Sequence, residues 1–214
     1  HSFQIATFYI KTCPNLSFES KHCLHVDKNK KEKLRVGFIS SYFWEHTIGK
    51  LTWGIIQNLS RKHFEITVFR PSLKKDAISE KIDQSADKVV LLSGSLEQDQ
   101  SAISNEKVDI LFYPDIGMSV LTYFLAFARL APVQAVSWGH PDTTGIPNID
   151  YFLSSELLES PVSSDHYSEQ LVKLKSVPTY YFQPKPLKGR YDRIDFTLPN
   201  DVRLYVCPQA LFKF

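Results

Sequence analysis

Cysteine is scarce. There are three in 214 residues, at positions 13, 23 and 207, an odd number too widely spread for a disulfide framework, which sets the expectation of a reducing, cytoplasmic compartment. Cys13, Cys23 and His25 match no zinc-ligand spacing and lack a fourth ligand, so no metal is expected. Glycine is sparse as well, with eight residues. None of them builds Gly-x-Gly-x-x-Gly behind the first apolar run, and Gly-x-x-x-x-Gly-Lys-Ser/Thr occurs nowhere, so dinucleotide oxidoreductases and P-loop enzymes lose their phosphate-cradling loops. Gly-x-Ser-x-Gly and His-Glu-x-x-His are missing, which argues against serine hydrolases and zinc proteases. No apolar run approaches membrane-spanning length, and the first residues have neither the basic nor the apolar block of a signal peptide; no membrane partner is expected. A formal net charge of +2 is too small to draw nucleic acid. The one basic run, Lys28-Asn29-Lys30-Lys31-Glu32-Lys33, has no interleaved aromatics and reads as a solvated lead-in.

What remains is ordinary globular composition, 43% hydrophobic and 22% charged. Residues 1–33 mix aromatics, Pro14 and lysines and read as an extension that packs on, or links to, the body. From Leu34 short apolar runs alternate with helical spacing. Strands are expected at 34–40, 64–70, 89–92, 108–113, 133–137 and 151–153. Helices are expected from Thr47, as cap, through Leu59, then at 78–86, 96–107 and 120–130. Strands separated by helical segments of 10–15 residues predict right-handed crossovers and a Rossmann-like, doubly wound, mostly parallel α/β sheet over 34–160. Prolines and Gly189 then mark a connecting segment, 161–201. The run Val202-Arg203-Leu204-Tyr205-Val206-Cys207 restarts strand character, so 202–214 reads as the truncated start of a second lobe. A chain that opens at His1 and stops there is expected to be part of something longer.

Doubly wound sheets bind ligands at the carboxyl edge of the strands, and three expected loops there carry chemistry. The first, 40–50, holds His46 just before a helix, a residue able to exchange a proton near neutral pH. The loop after the fourth strand holds Asp115 and Gly117; Asp115 is equally a group that orients a hydroxyl or a His and ordinary turn chemistry. After the fifth strand comes Trp138-Gly139-His140-Pro141-Asp142-Thr143-Thr144-Gly145, rich in hydroxyls and in backbone that can approach a phosphate or sugar closely. Lys213 lies just after the restarted strand, where an ammonium would neutralise a leaving diphosphate.

These residues, in order, carry a resemblance: 34–41 followed by His46, Leu130-Ala131-Pro132-Val133-Gln134 leading to Trp138-Gly139-His140-Pro141, Thr143-Thr144-Gly145, Asp150-Tyr151, Tyr167-Ser168-Glu169 and Leu211-Phe212-Lys213. Over about 34–214 the chain resembles the catalytic region of O-linked N-acetylglucosamine transferases, above all the SPINDLY-like branch. The resemblance implies the N-terminal lobe of a GT-B fold in an inverting, metal-independent glycosyltransferase. It would move N-acetylglucosamine from UDP-N-acetylglucosamine to Ser/Thr hydroxyls of an acceptor protein or peptide. It also implies a C-terminal donor-binding lobe and upstream tetratricopeptide repeats as partner domains, and no cofactor beyond the nucleotide-sugar. His46 and Lys213 take the catalytic positions; His140, Thr143, Thr144, Gly145 and Lys213 take the donor-binding ones.

Tyr42, His140, Asp142 and Ala210 depart from the animal pattern, which keeps GDP-fucose open as the donor of an O-fucosyltransferase. Isolated, the chain is expected to lack transferase activity, because most of the donor pocket would lie in the other lobe. Two other readings stand beside this one: a non-catalytic ligand- or protein-binding lobe that kept the fold, and a small-molecule-binding domain that needs no second lobe.

Overall fold

The apolar runs pair into one sheet. The computed structural model describes residues 2–24, 32–71, 75–183, 186 and 189–207. The strands are β1 (Leu34–Ile39), β2 (Phe64–Arg70), β3 (Lys88–Leu91), β4 (Ile110–Tyr113), β5 (Val133–Val136), β6 (Tyr151–Ser155) and β7 (Gln170–Leu174). The helices are α1 (Ser2–Thr12), α2 (Lys21–Leu24), α3 (Thr47–Asn58), α4 (Ala77–Ser85), α5 (Leu96–Glu106) and α6 (Val120–Leu125). All seven strands are parallel, in the order β3-β2-β1-β4-β5-β6-β7. The chain runs outward from β1 to β3 and returns to β4, so the topological switch point, where such sheets bind ligands, lies between β1 and β4.

Side-chain alternation divides the interior into two layers. Ile39, Phe69, Leu111, Tyr113, Val136 and Phe152 face Ala6, Ile103 and Leu125 of α1, α5 and α6. Val36, Phe38, Ile66, Val68, Phe112 and Ala135 face Ile48, Ile56, Ile78 and Ile82 of α3 and α4. Both layers are apolar, as a parallel sheet buried on two sides requires. The ends of the β5 loop are tied down by polar side chains. Gln134 Oε1 accepts the Leu130 amide at 2.8 Å, its Nε2 donates to the Ala128 and Asn148 carbonyls at 3.0 and 2.7 Å, and Asp150 Oδ2 accepts from Arg129 and the Gln134 amide at 2.7 Å each.

Several elements differ from the sequence expectations. Of the two alternatives for the first residues, packing on the body or linking to it, the described ones pack, but as a helix that the sequence did not predict: α1 inserts Ala6 into the core, and Leu16 follows it there. The cap of α3 is His46, not Thr47, which is the first helical residue. The helix α6 stops at Leu125, and Arg129 bridges to Glu19 instead of continuing it. An unpredicted strand, β7, lies within 161–201 and pairs with β6 along its whole length.

By contact density the chain forms two units, His1–Phe182 and Gln183–Phe214. In the second, Asp192 caps a 3₁₀ turn over Arg193–Phe196, and the Arg193 guanidinium donates to the carbonyls of Pro199, Asn200 and Val202 at 2.9, 3.3 and 2.8 Å. The expected strand at 202–207 forms no ladder there; Tyr205 and Val206 are exposed, and a strand without a neighbour has nothing to satisfy its backbone. Among the described residues no helix is long and apolar enough to cross a membrane.

Candidate functional site

Asp115 organises the switch point. It is fully buried at the end of β4, and its Oδ2 accepts the Ser40 hydroxyl at 2.8 Å and the Ser41 amide at 2.9 Å, tying the loop after β1 to the loop after β4. Burial raises its pKa to about 6, against the pull of bonds from Ser40, Ser41 and Thr122, which favour the carboxylate. Being enclosed, Asp115 positions its neighbours and does not meet a ligand. Further ties run between the same loops: Ser41 Oγ lies 2.7 Å from Ser119 Oγ, and the Tyr42 hydroxyl donates to the Met118 carbonyl at 2.8 Å.

His46 ends the β1 loop in extended conformation and caps α3, its Nδ1 accepting the Ile48 amide at 3.2 Å. Tyr42 and Trp44 pack on its ring at centroid distances of 4.5 and 5.4 Å. Desolvation, and secondarily the Lys50 ammonium, hold its pKa below the ordinary histidine value. The ring is therefore neutral at pH 7, and since Nδ1 accepts, the hydrogen-bond pattern assigns its proton to Nε2. In this arrangement His46 offers a donor; to offer a lone pair from Nε2 it must first give up the cap. His46→Ala is expected to cost about 1 kcal/mol of unfolding free energy, while His46→Asn, which keeps an acceptor at the cap, stays within about 0.5 kcal/mol of the native chain. Denaturant unfolding of the two variants checks this, and equal losses would remove the capping role.

The third loop closes on the second. Gly117 adopts φ +91°, and a Cβ there would come within 2.7 Å of the His140 Cβ, so glycine lets the two loops touch. His140 is itself 56% exposed, with Nδ1 3.7 Å from Asp142 Oδ2. Contacts thus run from His46 through Tyr42, Met118 and Gly117 to His140 along one edge of the sheet.

Thr143 and Thr144 are engaged from below by Glu169, a buried carboxylate just ahead of β7. Thr143 Oγ1 donates to Glu169 Oε2 at 2.6 Å, and the Thr144 amide and hydroxyl both donate to Oε1, the amide at 2.8 Å. Ser168 Oγ also donates to Oε2, at 3.2 Å. Both threonine hydroxyls therefore spend their hydrogens on the protein. Gly145, at φ +68°, lies under the first turn of α1, where a Cβ would come within 2.4 Å of the Phe3 nitrogen. A cavity of about 210 Å³ opens among Ile5, Gly117, Tyr123, His140, Thr143 and Thr144.

The structure thus gathers His46, His140, Thr143, Thr144 and Gly145 on one edge, whereas Lys213 lies outside the described residues. Sequence reasoning missed the jobs of Glu169 and Tyr42. The only signal for Glu169 was its place in Tyr167-Ser168-Glu169, and a clasp spanning 25 residues has no local pattern. Among the described residues no group of three or more His, Cys, Asp or Glu side chains is placed to hold a metal ion.

Comparison with known proteins agrees with this fold. The model of glycosyl transferase family 41 matches residues 10–183. The chain is 27% identical over 194 residues to the probable UDP-N-acetylglucosamine–peptide N-acetylglucosaminyltransferase SEC of Arabidopsis thaliana, covering 85% of this chain and 19% of that protein. It is 25% identical over 162 residues to the UDP-glucose:protein N-beta-glucosyltransferase of Actinobacillus pleuropneumoniae serotype 5b, covering 73% of this chain and 25% of that one. Among solved structures it superposes on a mutant O-GlcNAc transferase of Thermobaculum terrenum with a TM-score of 0.68 at 24% identity, over 74% of this chain and 31% of that chain, a likeness of fold. The chain spans about a fifth of the length of the plant relative and a quarter of the bacterial one.

Proposed function

The chain belongs to glycosyl transferase family 41, and on that premise we propose that it supplies the acceptor-side lobe of an inverting glycosyltransferase that modifies protein hydroxyls. The observation that carries this reading is the convergence of the loops after β1, β4 and β5 at the switch point, held by Asp115 and by the Gly117–His140 contact. In the reaction the acceptor oxygen attacks the anomeric carbon and loses its proton to solvent, while the bond to the diphosphate breaks and charge builds on the leaving group. His46, as an Nε2–H donor, orients the acceptor or the sugar. The loop over 140–145 walls the donor, with the two threonines shaping that wall and its backbone meeting the ligand. Lys213 keeps the role the resemblance gave it, neutralising the departing diphosphate, and the donor is UDP-N-acetylglucosamine.

A second reading is favoured by the bacterial relative, whose name gives it UDP-glucose and a protein nitrogen as acceptor. Calorimetric titration of the full-length protein with UDP-N-acetylglucosamine, UDP-glucose and GDP-fucose separates these donors. Heat with the first alone is the expected outcome; heat only with UDP-glucose moves the assignment to the second reading, and heat with none removes both.

A further inference from the structure

The loop that carries His46 is fastened at both ends. At the front Asp115 takes the Ser40 hydroxyl and the Ser41 amide. At the rear the Glu45 amide, immediately before His46, donates at 2.6 Å to Oδ2 of Asp76, which lies 31 residues further on at the start of α4. The reaction above gives Asp76 no part. Its two oxygens divide their work. Oδ1 caps α4, accepting the Ile78 and Ser79 amides at 3.0 and 2.9 Å, while the enclosed Ser79 hydroxyl accepts the Asp76 amide at 2.8 Å and completes a capping box. Oδ2 is thereby free for the β1 loop. The two helix starts also share one apolar layer, since Ile48 and Ile78, each in the first turn of its helix, are buried there with Ile56 and Ile82. A carboxylate on a rigid helix end is thus set against the residue before His46.

Between these fastenings the loop has little freedom. The Trp44 amide donates to the Tyr42 carbonyl at 2.8 Å and the His46 amide to the Trp44 carbonyl at 2.6 Å. A Cβ at Gly49 would collide with both of those carbonyl oxygens, so the first turn of α3 lies directly on the loop backbone. His46 itself holds on by one neutral bond of 3.2 Å to the Ile48 amide. A bond to an ionised acceptor is roughly twice as strong as a neutral one, so the Asp76 tie outweighs the cap that His46 makes for itself. The Glu45–Lys50 ion pair, with both side chains about half exposed, adds little. The place of the imidazole against Tyr42 and Trp44 therefore depends on a residue of the next helix.

We propose that Asp76 is a positioning residue, which through the Glu45 amide fixes where the His46 ring stands at the crevice. The inference rests on the reading of His46 as a group that orients the acceptor or the sugar. Asp76→Ser separates capping from tying, because one serine oxygen caps a helix about as well as aspartate does and cannot also reach Glu45. By circular dichroism the full chain with Asp76→Ser is expected to melt within about 2 °C of the native chain, and with Asp76→Ala about 2–4 °C lower. In both variants hydrogen exchange of the Glu45 amide, read by NMR, should quicken about tenfold. The His46 ring protons should move downfield as the imidazole leaves the shielding faces of Tyr42 and Trp44, a change that loss of a helix cap alone would not produce. With UDP-N-acetylglucosamine and a pool of serine-containing peptides, turnover by the full-length protein should fall about tenfold while the donor KM stays within about twofold. A folded Asp76→Ser chain whose Glu45 exchange and His46 resonances are unmoved overturns the proposal, as does lost turnover without movement of the ring. Movement of the ring with native turnover leaves the tie standing and removes the reading of His46. The exchange and ring measurements need no donor, so they decide the tie even where sugar transfer fails and the proposed function falls.

Discussion

Replacing Glu169 by alanine is expected to lower the unfolding free energy by about 3 kcal/mol and the melting temperature by roughly 6–12 °C for a chain of this size. The buried carboxylate of Glu169 accepts from the Thr143 hydroxyl, from the Thr144 amide and hydroxyl, and from the Ser168 hydroxyl. Truncation strands the buried amide and hydroxyl of Thr144, while half-buried Thr143 and exposed Ser168 can turn to water, and an unmade buried hydrogen bond costs more than a formed one contributes. Glu169→Gln keeps the volume and one acceptor oxygen, so it should lose about half as much. Differential scanning calorimetry of both variants decides the matter: a drop below about 2 °C for the alanine variant would mean that the threonine loop holds its shape without the clasp.

The second large effect is one of pH. Asp115 has a carboxyl pKa raised from the ordinary 3.8 to about 6 by burial, so the folded chain holds that proton more tightly than the unfolded chain does. The group's contribution to stability is therefore fully present below about pH 4 and is lost as pH rises through about 6. A difference of roughly two pKa units corresponds to about 3 kcal/mol. Asp115→Asn keeps an acceptor for Ser40 and Ser41 but does not titrate. Its stability relative to the native chain should climb by about 3 kcal/mol between pH 4 and pH 7. Urea unfolding across that range tests this, and parallel curves for the two proteins would show that the carboxyl does not titrate as the burial requires.

Much of this could be read from the amino acids, and the exceptions have physical causes. The strands β1, β2 and β4 are apolar runs buried on two faces, the strongest signal a parallel sheet gives. The loop residues His46, Asp115 and His140 follow from where such strands end. The strand β7 escapes the sequence reading because Gln170-Leu171-Val172-Lys173-Leu174 is an edge strand, exposed at Gln170 and only part-buried after it, and Pro161 and Pro178 flank it rather than break it. In α1, aromatic and aliphatic residues occupy positions 3, 5, 8, 9 and 10 as well as Ala6, so apolar side chains ring the helix and blur its period; Phe3 and Phe8 stay exposed while Ala6 is enclosed. Thr47 looked like the cap because hydroxyls usually fill that place, and the lone pair of the preceding imidazole took it instead. The clasp under Thr143 and Thr144 joins residues 25 apart, and no window of sequence contains both its ends.

The first turn of α1 rests on Gly145, and Ser2 and Ile5 form part of the cavity wall. The first turn of α1 is therefore a handle on the crevice itself. A fluorophore attached at Ser2 would sense ligand entry from within contact range, and a bulky one would crowd that corner. A label meant to leave that corner untouched belongs elsewhere, for instance on the exposed face of α5.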